Sequence, residues 1–349
     1  MFLFKRLSSF YEPPTGLIKD PRTVEEKEKD FLADEILSFA PVKWTEKPRN
    51  QWRRFEIFDQ GQSSSCVGQT IAKLMGIDNF LEEGKWVRYS ARDLYSQRKN
   101  KPNPGAWAQD IAHIAYKKGA SLEQLMPSEK RNEEQMNDDS DGKTIDEQIA
   151  LVGKAGGYVS FEFSFDKVAS VIEQTKKGVA ISCWFNPGDW NSAIVQTRKN
   201  GVYGHLVAVV DYTLYQGRKA LIFDNSWGSS WGFGGQGVLL EGNHEGVRNF
   251  ALYLQDLKNT WRDEEKQIIK PRANFQRDLI FGMRNVDVIV LQECLKYEEL
   301  FPINTLSTGF YGNITAKAVL EFQKKYGLPF TDGRKVDKIT RDKLNELYK

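Results

Sequence analysis

The sequence predicts an α+β molecule: a helical half, then a β-sheet half, then a small all-α domain at the C-terminal end. Three observations predict it. Apolar residues between 66 and 118 recur at helical spacing, and apolar or alternating runs between 158 and 254 have the period of strands. A charged stretch from about Lys258 then separates these from a second block of helical spacing. At 349 residues and 40% hydrophobic, the chain is long enough for two separate cores.

Residues 1–38 are polar and charged, with Pro13-Pro14 and Glu25-Glu26-Lys27-Glu28-Lys29, and are read as an arm or short helix. Val67, Ile71, Leu74, Met75 and Leu81 then fall mostly on one helical face, which puts Cys66 in a first helical turn. A second helix is predicted over Ala106–Lys118. Residues 128–148 are charged, with few apolar side chains, and are read as a solvated loop. Strands are predicted at Tyr158–Phe165, Val179–Phe185, His205–Tyr212, Ala220–Phe223, Gly237–Glu241 and Phe250–Leu254. Helices first and strands second place a site at the seam between the halves, within a domain spanning 39–258.

Residues 259–281, with Asp263-Glu264-Glu265-Lys266 and Lys270-Pro271-Arg272, read as a linker to a domain over 282–349. Val288, Leu291 and Leu295 mark a helix over Val286–Leu300. The turn Gly309-Phe310-Tyr311-Gly312 leads into another helix carrying Ala318, Val319, Phe322 and Tyr326. Ile314-Thr315 with Val319 recurs 25 residues on as Ile339-Thr340 with Leu344, so two helices begin on the same threonine cue.

Composition excludes several functions. With 49 basic and 47 acidic residues the net charge is +2, and no basic block interleaves with aromatics, so nucleic acid is not the expected partner. Met1-Phe2-Leu3-Phe4 is cut off by Lys5-Arg6, too short for a signal-peptide core, and no run of 18 apolar residues spans a membrane. A soluble chain without an export signal is expected. Three cysteines cannot make a disulfide framework, so the usage is that of a reducing compartment.

The chemistry concentrates on Cys66, reached through Asp59-Gln60-Gly61-Gln62-Ser63-Ser64-Ser65. A helix start favours thiolate over thiol, and a histidine able to pair with it makes the cysteine a nucleophile. Of the three histidines, His113 lies in a helical stretch and His244 in a polar turn. His205 opens the β-branched run His205-Leu206-Val207-Ala208-Val209-Val210 after Gly204, where a strand can fix the imidazole. Cys183 and Cys294 sit in apolar surroundings and are read as buried thiols.

Gln60-Gly61 ahead of Cys66, Gly204-His205 entering a strand, and Asn225-Ser226-Trp227-Gly228 followed by Trp231-Gly232 resemble, in order, the papain-like cysteine peptidases. That family places its later partners roughly 130 to 150 residues beyond the cysteine. The intervals here are 139 to His205 and 159 to Asn225, the longer one accounted for by a loop insertion. The resemblance implies a papain-like two-part catalytic domain. It implies that Cys66 is the nucleophile, His205 the base and then acid, Asn225 the group orienting the imidazole, and Gln60 an oxyanion-hole donor. It also implies that Trp227 covers the His–Asn bond at the substrate site and that Gly105 admits a substrate backbone. Pro104 departs from the family's neighbouring glycine, Val67 from its aromatic after the nucleophile, and Ser63 from its half-cystine. Pro41-Val42-Lys43-Trp44 resembles the start of a mature domain. The preceding arm is short for the family's inhibitory segments and is not expected to be one.

Leu291-Gln292, Gly309 to Gly312, Thr315, Ala318-Val319, Phe322-Gln323, Gly327-Leu328 and Asp332-Gly333 resemble the small three-helix peptidoglycan-binding domain. Phe322, Tyr326 and Val319 are read as core, and Phe310 and Tyr311, on a turn, as candidates for peptidoglycan contact. Neither a cofactor nor a metal is expected. Together the two resemblances imply a cysteine peptidase acting on protein or peptide and targeted to bacterial cell wall, in a bacterial or phage setting. The alternatives are an endopeptidase of peptidoglycan cross-links, as in a lysin, and an inactive wall-binding protein.

Overall fold

The computed structural model describes residues 15–23, 27, 39–140, 153, 155–255, 270–301, 307 and 309–349. These form two compact units, one before the stretch 256–269 and one after it. The architecture is mixed α+β, as the sequence predicts.

The first unit is built around helix α1 (Cys66–Glu83) and a seven-stranded sheet. Cys66 to Ile77 are all buried, so α1 enters through the core at its N-terminal end. Its last turns emerge into solvent, and Gly84, at φ 65°, ends it in the left-handed conformation that glycine adopts without strain. Leu81, expected on the apolar face, lies in that emerging part and is exposed. Helices α2 (Ala91–Ser96), α3 (Ala108–Lys117) and α4 (Glu133–Asn137) complete the helical half. Helix α4 lies in the stretch read as a solvated loop. Asn132 and Gln135 form a reciprocal capping box that starts it, and Met136 is buried. Residues 141–148 of that stretch lie outside the described residues.

The sheet runs in the order β1-β7-β2-β4-β5-β6-β3. Its strands are β1 (Gly157–Phe161), β2 (Val179–Phe185), β3 (Ile194–Val195), β4 (Tyr203–Tyr215), β5 (Arg218–Asp224), β6 (Gln236–Leu240) and β7 (Val247–Gln255). The first predicted strand is shorter than expected. Ser164 accepts a hydrogen bond from Lys167 N at 3.1 Å and starts helix α5 (Phe165–Thr175), whose Val168, Val171 and Ile172 are buried on the sheet-side core. β4 and β5 are antiparallel, with Ala208 opposite Asp224. His205, near the start of β4, and Asn225, one residue past the end of β5, therefore reach the same edge of the sheet.

The second unit packs helices α6 (Val286–Tyr297), α7 (Asn313–Lys325) and α8 (Lys338–Tyr348) beside a two-stranded ladder of β8 (Leu279–Ile280) and β9 (Lys335–Val336). Its core takes in Ala273, Phe275 and Leu279, residues expected in the linker, and Ala273 N donates to Tyr348 O. The 25-residue repeat has a different cause from the one expected. Thr315 and Thr340 are buried in the first turns of α7 and α8, and the N-caps are Gly312 and Asp337. Gln292 donates to Thr315 Oγ1 at 2.9 Å and to Phe310 O. Gln323 donates to Thr340 Oγ1 at 3.0 Å and to Lys335 O. Each glutamine thus ties its own helix to the turn that starts the next.

Candidate active site

The approach to Cys66 is a polar loop in which Gln60, Ser63 and Ser65 are buried and hydrogen-bonded. Ser63, where the resemblance expects a half-cystine, donates from Oγ to Gln60 O at 2.7 Å and shares a 2.7 Å bond with Ser65 Oγ. Glu133 of α4 accepts from Ser64 N at 2.8 Å through one carboxylate oxygen and from Tyr95 and Arg98 through the other. Sequence reasoning missed Glu133, although the capping box from Asn132 to Gln135 was there to find it. Gln60 is wholly buried. Its Nε2 donates to Ser63 O at 2.7 Å, and its Oε1 accepts from Ser226 Oγ at 2.7 Å.

His205 Nε2 lies 2.8 Å from Asn225 Oδ1. That oxygen also accepts from the backbone N–H of Ser226 at 2.8 Å, which fixes which end of the amide is oxygen. His205 Nε2 must therefore be the donor, and the neutral ring carries its proton there. Nδ1, buried, has no hydrogen-bond partner. The Trp227 ring stacks on the imidazole at 4.8 Å, and Trp190, which the sequence did not single out, meets it edge-on at 5.4 Å. The imidazole thus sits in an aromatic slot with one polar partner.

Cys66 is 0% exposed, and the N-terminal arm runs against the segment that carries it. Leu17 N donates to Gly204 O at 3.0 Å, Ala106 N to Gly16 O at 2.8 Å and Ile18 N to Ala106 O at 3.0 Å, with Leu17 bridging Ala106 in parallel. Three glycines permit this closeness. A Cβ on Gly16 would lie 1.7 Å from Ser64 O, one on Gly204 2.3 Å from Leu17 O, and one on Gly105 2.8 Å from Gly16 O. Gly105 also sits at φ 88° and donates to Tyr95 Oη at 2.7 Å. The backbone that approaches Gly105 here is the chain's own.

Burial dominates the electrostatics. It pushes the Cys66 thiol up to about 11, against backbone hydrogen bonds of Leu206, Gly16 and Val67 that pull the other way. It pushes His205 down to about 4, against the bond to Asn225. Burial thus disfavours the charged form of each group here, the thiolate at Cys66 and the imidazolium at His205. Cys183 and Cys294 are likewise raised by burial, and no cysteine is in a disulfide.

In the second unit, Tyr311 is 0% exposed and donates to Gly333 O at 2.7 Å, so it is a core residue and not a ligand contact. Phe310 is 38% exposed, with the Arg284 guanidinium 5.0 Å above its ring. Among the described residues no cluster of His, Cys, Asp and Glu could hold a metal ion, and no helix is long and apolar enough to cross a membrane.

Comparison with known proteins gives two family matches. The papain family cysteine protease profile matches residues 41–254, and a peptidoglycan binding domain profile matches residues 284–344. The first unit's fold is similar to xylellain, a cysteine protease from Xylella fastidiosa, at 16% identity and a TM-score of 0.55, covering 70% of this chain and 97% of that one. It is also similar to digestive procathepsin L2 from the larval midgut of Tenebrio molitor, at 18% identity and a TM-score of 0.54, over 70% of this chain and 78% of that one. No curated protein matches the chain.

Proposed function

This chain belongs to the papain family of cysteine proteases, and we propose that it hydrolyses peptide bonds with Cys66 as nucleophile and His205 as its proton partner. The observation that carries this reading is the 2.8 Å bond from His205 Nε2 to Asn225 Oδ1, which leaves Nδ1 as the ring nitrogen for the thiol proton. In this reading Nδ1 takes the proton as Sγ bonds to the scissile carbonyl carbon. The proton then passes to the leaving amine as the C–N bond breaks, and water hydrolyses the thioester. Asn225 keeps the ring oriented, and its neutral amide leaves the imidazolium free to pair with the thiolate. Gln60 and the Cys66 N–H stabilise the oxyanion. Since Gln60 Nε2 donates to Ser63 O in the described form, part of its donor capacity is already engaged there. Trp227, stacked on the imidazole, shields the His–Asn bond.

The peptidoglycan binding domain over 284–344 supports delivery of this activity to bacterial cell wall, with Phe310 as the ligand-contact candidate. Protein is the leading substrate, and peptidoglycan cross-link peptide is the alternative. Turnover of casein and of purified cell walls by wild type and by Cys66→Ala tests both points. Loss of activity in the variant is expected, and equal activity would end the reading.

A specific observation favours a closed resting form: Gly16, Leu17 and Ile18 occupy the backbone hydrogen-bonding groups of Ala106 and Gly204 above a fully buried Cys66. The arm, not expected to inhibit, thereby blocks the thiol from any substrate. Gly16→Val has no room for its side chain against Ser64 O and is expected to raise full-chain turnover of a soluble peptide at least tenfold. Unchanged turnover in an active wild type would show that the arm does not limit access.

A further inference from the structure

Cys66, Thr70 and Lys73 stand at positions i, i+4 and i+7 of α1 and so share one face of the helix. Thr70 Oγ1 donates to Leu206 O at 2.9 Å, one residue beyond His205. Lys73 Nζ pairs with Asp224 Oδ2 at 3.1 Å, one residue before Asn225. The same ammonium donates to Glu56 O and lies 4.6 Å from the centre of the Phe58 ring, in the segment that leads into Gln60. Asp224 is held from its other side by Gln236 Nε2 at 2.8 Å. Thr70 and Lys73 thus touch the segments that carry His205, Asn225 and Gln60.

We propose that Thr70 and Lys73 are positioning residues that set the register of Cys66 against His205, Asn225 and Gln60. The inference rests on the Cys66–His205 reading above. Its physical basis is that α1 and the sheet are separate elements whose relative placement the chain does not fix covalently near the site. Apolar packing resists separation of the two elements but tolerates small slides between them. A directional hydrogen bond and a buried ion pair do not, since sliding would strand a charge of which only 3% is exposed on the lysine and none on the aspartate. The buried pair is therefore suited to specifying one arrangement. A misplacement of about 1 Å costs a catalytic pair on the order of 10²-fold in rate.

The test uses the full chain, in the wild-type and Gly16→Val backgrounds so that arm closure and positioning are separated. Lys73→Met with Asp224→Asn removes both charges together, which spares the fold an unpaired buried ion, and the amide oxygen so introduced can still accept from Gln236. Steady-state kinetics on a soluble peptide are expected to show kcat down about 10²-fold with KM within about twofold. In the Gly16→Val background, where the arm no longer covers the thiol, the pH at which Cys66 alkylates should shift toward that of an ordinary thiol, near 8.5. Thr70→Val should lower kcat about tenfold, by an estimate from the loss of one hydrogen bond, and Thr70→Ser should restore it. A folded double variant with wild-type kcat and alkylation profile, or one altered in KM alone, would overturn the proposal. Should the double variant not fold, equal kcat in Thr70→Val and Thr70→Ser would overturn it instead. No turnover in either parent background would instead mean that the Cys66–His205 reading itself had failed.

Discussion

The side chains at the site differ in what replaces them, so their substitutions should differ in size. Gln60→Ala should lower kcat by about 10² to 10³, the loss of one oxyanion donor, and undiminished kcat would remove Gln60 from that role. Burial of His205 has a further consequence for pH. The folded form keeps the ring neutral down to about pH 4, whereas the unfolded chain binds the proton near 6.5. Between those values the unfolded state holds more protons, so stability falls as pH falls from 6.5 to 4, by up to about 3 kcal/mol, and is unaffected by this group above 6.5. The thermal midpoint against pH, with His205→Gln as reference, measures it, and parallel curves would refute it. The meeting of His205 with Asn225 was legible because each sits in a distinctive local run. The arm's passage over the site was not, because it is held by backbone hydrogen bonds of Gly16 and Leu17, nearly fifty residues before Cys66.

At the scale of elements, β2 was legible to its end residues and α1 to its first turn, since both are long apolar runs with one dominant period. The first strand was carried on to Phe165, the first residue of α5, because Phe161, Phe163 and Phe165 continue the alternation past the point where Ser164 caps that helix. Helix α4 was hidden by charge: Glu133 counts as solvated in any compositional reading, yet its carboxylate is divided between Ser64 N, Tyr95 and Arg98. The threonine cue was real, but it was buried hydrogen bonding and not capping. Gln323→Ala should therefore destabilise the second unit by about 1–3 kcal/mol, since it leaves Lys335 O and Thr340 Oγ1 without their donor. Chemical denaturation of residues 270–349 would measure this, and a midpoint unchanged from the parent would count against it.

For the molecule as a whole, the described residues before 256 and those from 270 on each have a buried cluster of their own. A fragment beginning at residue 270 should fold and sediment with peptidoglycan, and one ending at 257 should keep activity on a soluble peptide. Starting instead at Phe281 removes Ala273, Phe275 and Leu279 from the second core, so that shorter fragment should fail to fold. Loss of soluble-peptide turnover in the 1–257 fragment would show that the second unit contributes to catalysis. Composition reads 259–281 as a linker because Arg272, Arg277 and Asp278 disguise Ala273, Phe275 and Leu279, which are buried in the second core. The loop ahead of Cys66 has one last consequence. Because Ser63 and Ser65 join through hydroxyls where a disulfide would otherwise brace the nucleophile loop, the protein's melting point should be indifferent to dithiothreitol. A reductant added to keep the Cys66 thiol reduced is then one to which the scaffold is blind.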